Sequence, residues 1–140
     1  MQNNKLAILF LCTGNSCRSQ MAEGLAKKYL KDCTIESAGT HPEKVNSNAI
    51  KVMKNINIDI SNYKSKKINQ NDLSRFNLII TLCGDAKDRC PVLTSGRHIH
   101  WDIPDPVKFK GTSDEILEQF SKVRDRICKE IKSLKNEIIS

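Results

Sequence analysis

The stretch LCTGNSCRSQ, residues 11–20, packs two cysteines, an arginine, a glycine and several small polar side chains into ten positions. Before it runs a continuous apolar segment, Leu6-Ala7-Ile8-Leu9-Phe10-Leu11. After it, Met21, Ala22, Leu25, Ala26, Tyr29 and Leu30 recur at helical spacing. A short unbroken apolar run predicts a strand buried on both faces, and the later repeat predicts an amphipathic helix. Residues 6–30 therefore predict a strand, a tight loop and a helix, with Ser19 available as a helix cap. Little in the loop can pack a core, so its composition asks for a chemical reason.

That reason is an oxyanion. A helix start presents free backbone N–H groups and the positive end of the helix dipole, and such places bind oxyanions. Gly14 lets the backbone bend, and Arg18 can grip two oxygens at once. The same field favours the thiolate form of Cys12, and Ser19 can donate a hydrogen bond to that sulfur. The candidate oxyanion-binding set is Thr13, Gly14, Asn15, Ser16, Cys17, Arg18 and Ser19, with Cys12 as the nucleophile. Cys17 lies in this loop without a chemical role of its own.

Outward from the loop, residues 33–38 read as a second strand ended by Gly39. Ser47 to Asn55 reads as a helix with Ala49, Ile50, Met53 and Ile56 on one face. Residues 62–67 are polar and read as a loop. Phe76 to Leu82 and His98 to Ile103 read as two more strands. From Ser113 to about Ile138, the residues Ile116, Phe120, Val123, Ile127, Ile131, Leu134 and Ile138 mark one helix face. Thr112 and Glu115 fit a capping box at its start. Strands alternating with helices predict one α/β domain over residues 1–140, a four-stranded parallel sheet flanked by helices on both faces. In such sheets ligands bind beyond the carboxyl ends of the strands. Cys12, Cys83 and the Asp102–Asp105 stretch all fall at or just after predicted strand ends, so the three are expected to meet.

The chain has 140 residues, enough to bury a core. Lys and Arg number 23 against 16 Asp and Glu, a formal charge of +7 that attracts anions. The lysines are spread out, aromatics are few and no nucleic-acid motif is present, so no nucleic-acid partner is expected. Residues 6–11 are too short to span a membrane and carry no cleavage signal, which predicts a cytoplasmic protein without a membrane partner. Six cysteines in such a setting do not make a disulfide framework. Their positions (12, 17, 33, 83, 90 and 128) lack paired zinc-ligand spacing, so no metal is expected. Cys33 and Cys128 read as structural, Trp101 as packing near the site loop, and His41, His98 and His100 show no ligand pattern.

Several segments together carry a family likeness: CTGNSCRSQMAEG (12–24), ESAGT (36–40), DISN (59–62), TLCGDAKDRCP (81–91), HW (100–101) and DP (105–106). They resemble the low-molecular-weight protein tyrosine phosphatase fold family, and within it the thioredoxin-coupled arsenate reductases. The cradle alone suits either chemistry, because phosphate and arsenate share charge and shape. Reduction needs two electrons, which two thiols supply on forming a disulfide. Cys83 and Cys90 are seven residues apart. On a helix they would share a face but stand roughly 10 Å apart along the axis. A disulfide needs Cα atoms about 4.4–6.8 Å apart, so this pair closes only if the segment between Gly84 and Pro91 unwinds.

The likeness to the reductases implies a relay in arsenic detoxification and resistance. Cys12 attacks arsenate, Cys83 then attacks Cys12, and Cys90 attacks Cys83. Thioredoxin reduces the Cys83–Cys90 disulfide, with NADPH as the indirect electron source and no bound cofactor. It also implies that Asp105, in the Asp-Pro pair, donates the proton, with Asp102 a second carboxylate nearby. Val107 and Lys108 follow Asp105 where phosphatases of this fold often carry aromatics. The alternative is a low-molecular-weight phosphatase using Cys12 and Asp105. A monomer is expected. Some relatives hold potassium near the loop. Asn15 and Glu23 match two of their ligands, whereas Lys64 and Lys66 replace two others. The expectation is therefore no potassium, with Lys66 pairing with Glu23 instead.

Overall fold

The apolar run ahead of the loop forms β1, Ala7–Cys12, whose residues from Ile8 onward are all buried. The computed structural model describes residues 6–82 and 97–139. After β1 come α1 (Arg18–Tyr29), β2 (Thr34–Gly39), α2 (Ser47–Lys54), β3 (Leu78–Thr81), β4 (Arg97–His100) and α3 (Ser113–Ile139). Two 3-10 turns, Gln70–Arg75 and Pro106–Lys108, were not foreseen from periodicity, since neither is long enough to show one. The four strands among the described residues are all parallel, in the order β2-β1-β3-β4, as the alternating pattern predicts.

Adjacent strand residues point to opposite faces, and two neighbours in β2 show what covers each. Ser37 is bonded to Glu23 of α1, whereas Glu36 makes a two-pronged ion pair with Arg75 of the 3-10 turn. The helices α1, α2 and α3 touch one another and lie on the Ser37 face. The turn Gln70–Arg75 lies on the Glu36 face, where Leu73 and Phe76 are buried.

The apolar stripe of α3 is the seam against α1 and α2: Phe120, Val123, Ile127, Ile131 and Leu134 are buried. Its capping box forms in both directions, from Glu115 N–H to Thr112 Oγ1 at 3.2 Å and from Thr112 N–H to Glu115 Oε1 at 2.9 Å. β4 is shorter than the apolar pattern implied. It stops at His100, although Trp101 N–H still reaches the Thr81 carbonyl at 2.9 Å. The Trp101 ring packs against Phe10, two residues before Cys12, with centroids 5.8 Å apart. Because β1 pairs with β2 on one side and β3 on the other, the chain switches direction across the sheet beside β1. The carboxyl end of β1 opens into that crevice.

Candidate active site

Cys12 is the last residue of β1 and Arg18 the first of α1, so residues 13–17 form the whole connection. The carbonyls of this loop are turned outward. Thr13 O accepts from His41 N–H, Gly14 O from Glu43 N–H and Ser16 O from Asn46 N–H, each at 2.8 Å. Asn15 O accepts from the Gln20 amide at 2.9 Å and the Ser65 hydroxyl at 2.7 Å. In a planar trans peptide the N–H points opposite to the C=O. Tying four successive carbonyls outward therefore turns the N–H groups of residues 14–17 toward the inside of the loop. Asn15 adopts φ 46°, a left-handed conformation that Asn tolerates better than most residues.

The side chain of Asn15 sets the polarity behind the thiol. Its Nδ2 donates to Ser19 Oγ at 2.8 Å and to Ser37 Oγ at 2.9 Å. Ser37 in turn donates to Glu23 at 2.5 Å, and Glu23 meets the Lys27 ammonium at 2.6 Å. With its oxygen accepting from Asn15, the Ser19 hydroxyl has its own proton for Cys12 Sγ, 2.9 Å away. This corrects two expectations. Ser19 does not cap α1; the cap position is Cys17, with no side-chain bond, because Ser19 lies inside the first turn facing the thiol. Nor does Lys66 pair with Glu23. Lys27, one helical turn along from Glu23, is already there, and the Lys66 ammonium reaches the Lys64 carbonyl instead.

Arg18 closes the site from the other side. One guanidinium nitrogen donates to the carbonyls of Ile103 at 2.9 Å and Leu82 at 3.4 Å, and the other lies 3.5 Å from the Asp105 carboxylate. Asp105 also accepts from Val107 N–H at 3.0 Å, which caps the turn Pro106–Lys108 and holds the carboxylate at the rim. Cys12, Arg18, Asp102 and Asp105 line one cleft of about 760 Å³, together with Gly14, Ser16 and Cys17. Burial pushes the Cys17 thiol far up, and the neighbouring Cys12 adds to this, so Cys17 stays a neutral thiol. Asp102 is exposed, and its carbonyl is held by Arg126.

The expected meeting of the β1 end with the Asp102–Asp105 stretch is therefore seen. Leu82, the residue before Cys83, comes to the same place through Arg18. Cys83 and Cys90 themselves lie outside the described residues. Among the described residues no cluster of His, Cys, Asp or Glu is arranged to hold a metal, and no helix is long and apolar enough to cross a membrane. Sequence reasoning missed the backing formed by His41, Glu43, Asn46, Gln20 and Ser65. Three of these act through backbone N–H groups, which leave no residue signature.

Comparison with known proteins agrees with this geometry. The profile of the low molecular weight phosphotyrosine protein phosphatase family matches residues 7–139. The arsenate reductase of Halalkalibacterium halodurans is 52% identical over 132 residues, covering 93% of this chain and 95% of the relative. A solved structure described as an arsenate reductase in the phosphate binding state superposes with a TM-score of 0.76 at 30% identity, covering 95% of this chain and 98% of that one. A second, described as an arsenate reductase in oxidized state, gives a TM-score of 0.78 at 30% identity, over 94% and 98% of the two chains. The chain belongs to the low molecular weight phosphotyrosine protein phosphatase family, on its arsenate reductase branch.

Proposed function

We propose that this protein reduces arsenate to arsenite through a three-cysteine relay and is regenerated by thioredoxin in the cytoplasm. The observation that carries the reading is the thiol pair Cys83 and Cys90, which hydrolysis does not need, in a chain whose cradle suits any tetrahedral oxyanion. A thiol bonded to Ser19 sits at the base of a loop whose amides face inward, with Arg18 and a carboxylate, Asp105, opposite. Inward amides and a guanidinium bind a tetrahedral oxyanion and offset the charge that builds during attack.

The chemistry follows in order. The Cys12 thiolate attacks arsenic, and one arsenate oxygen departs as water with a proton from Asp105. Cys83 then attacks the Cys12 sulfur. The electron pair of the sulfur–arsenic bond stays on arsenic, which leaves as arsenite, and a Cys12–Cys83 disulfide forms. Cys90 attacks Cys83, freeing Cys12, and the resulting Cys83–Cys90 disulfide passes to thioredoxin. The last two steps, at Cys90 and at thioredoxin, are thiol–disulfide exchange by an accessible thiolate. The neutral, buried Cys17 stays out of the relay. NADPH supplies the electrons indirectly, through thioredoxin reductase, and the chain acts as a monomer.

The test is NADPH consumption with thioredoxin, thioredoxin reductase and arsenate, with phosphate as the control. Sustained arsenate-dependent turnover that disappears in Cys90→Ser is expected. No turnover, together with hydrolysis of an aryl phosphate that survives Cys83→Ser, would assign the cradle to a phosphatase instead.

A further inference from the structure

Of the groups that hold the loop carbonyls outward, three are backbone N–H groups and two are side chains, Gln20 and Ser65. Gln20 belongs to α1 and is fully buried. Ser65 comes from a polar segment far along the chain, and its placement is more informative. Its hydroxyl, with a single proton to share, lies within reach of two carbonyls: Asn15 O of the loop, at 2.7 Å, and Glu43 O of the segment that backs the loop. Glu43 in turn donates its own N–H to Gly14 O at 2.8 Å. The next residue, Lys66, gives its backbone N–H to Asn15 Oδ1 at 2.8 Å.

We propose that Ser65 is a positioning residue for the oxyanion cradle. The statement rests on the reading that the cradle binds arsenate, and extends it to a residue with no contact to the reacting atoms. Asn15 is the loop residue in the left-handed conformation and also the one that orders Ser19. Two peptide units meet at it, and the Ser65 hydroxyl sets the one whose N–H is that of Ser16. Without that hydroxyl, the Asn15 carbonyl keeps only the Gln20 amide. The peptide plane is then free to tilt, and the Ser16 N–H drops out of line with a bound oxygen. The Glu43 carbonyl loses the same donor, which slackens the segment that holds Gly14.

The role predicts weaker ground-state binding of any tetrahedral oxyanion, with the thiol chemistry less affected. The variants are Ser65→Ala, which removes only the hydroxyl, and Ser65→Thr, which keeps it. Inorganic phosphate binding to the reduced protein is followed by calorimetry, and arsenate KM and kcat by the thioredoxin-coupled assay. Ser65→Ala should raise the phosphate Kd and the arsenate KM together by about fivefold to tenfold, the scale of one lost hydrogen bond. The change in kcat should be smaller, and Ser65→Thr should behave as the parent. An unchanged phosphate Kd in Ser65→Ala would overturn the assignment. So would an equal loss in Ser65→Thr, because the hydroxyl would then be irrelevant. If the parent turned over no arsenate, the reductase reading would fall, while the phosphate comparison would still decide the role of Ser65.

Discussion

The Asp105 carboxylate stands 3.5 Å from the Arg18 guanidinium, and the same side chain donates to the Ile103 carbonyl at 2.9 Å. One residue of the cradle thus fixes the distance to the loop that carries this carboxylate. The carboxylate is held at the rim of the cleft that Cys12 also lines.

Replacing Asp105 with Asn should therefore remove the proton donor while leaving the oxyanion seat intact. General acid catalysis is worth about a hundredfold or more, so kcat should fall by at least that factor. The phosphate Kd should stay within a few-fold of the parent value. Steady-state kinetics beside calorimetry separate the two effects, and an unchanged kcat would remove Asp105 from the mechanism.

Ser19→Ala takes away the hydroxyl that sits 2.9 Å from Cys12 Sγ and leaves the Asn15 amide without an acceptor on that side. A hydrogen bond to a charged acceptor contributes about 1.5–3 kcal/mol, and Ser19→Ala takes that donor away from the sulfur. The rate of Cys12 alkylation by iodoacetamide should drop about tenfold or more, in step with the first turnover of arsenate. Equal alkylation rates in the two proteins would mean that Ser19 does not tune the nucleophile.

At Gly39, the last residue of β2, an added Cβ would lie 2.6 Å from Thr13 O and 2.8 Å from Asn15 N. Both are backbone atoms of the cradle and neither can swing aside. Gly39→Ala should push the loop off its backing, with loss of phosphate binding well before loss of the fold. Calorimetry with phosphate and circular dichroism on the same sample check this.

The Glu36–Arg75 pair gives a pH signature. The Arg75 guanidinium, through its hydrogen bonds, holds the Glu36 carboxyl below its ordinary range. A carboxyl lowered in the folded state adds stability above its unfolded value and loses it as pH falls through the folded one. The pair is partly exposed, so its contribution at neutral pH is no more than about 1 kcal/mol. Glu36→Gln should lower Tm slightly at pH 7, and the difference should vanish in strong acid. A difference that grew on acidification would contradict the sign.

Lys27 supplies a fixed positive charge at Glu23, and its ammonium also lies 4.7 Å from the centre of the Tyr63 ring. A monovalent cation has no unpaired carboxylate to neutralise there. Activity should stay flat as potassium replaces another monovalent cation at constant ionic strength. A large rise would show that the ion is needed after all.

The fold was legible because strand β1 and helices α1 and α3 obey strong local rules. Unbroken apolar runs make buried strands, and three- or four-residue steps make helix faces. The sequence also pointed to Cys12 at the end of β1, Arg18 at the start of α1 and Asp105 beyond β4, and the structure gathers all three in one cleft. The partner of Glu23 was misread although it was within reach: Lys27 follows it by four residues on the predicted helix, the spacing of an ion pair, and the structure forms that pair rather than one with Lys66. The helical cap was misplaced for a different reason. A serine at a helix start reads as a cap, but here the neighbouring thiol competes for the hydroxyl.

The sequence by itself determined the order of elements, the parallel sheet and the chemistry available at residues 12–19 and 105. These depend on local periodicity and on which side chains a strand end can present. The tertiary structure decided the direction in which the loop peptides face. That direction depends on donors at His41, Glu43, Asn46 and Ser65. Most of them are backbone N–H groups, which every residue except proline carries, so only their position in space makes them part of the site.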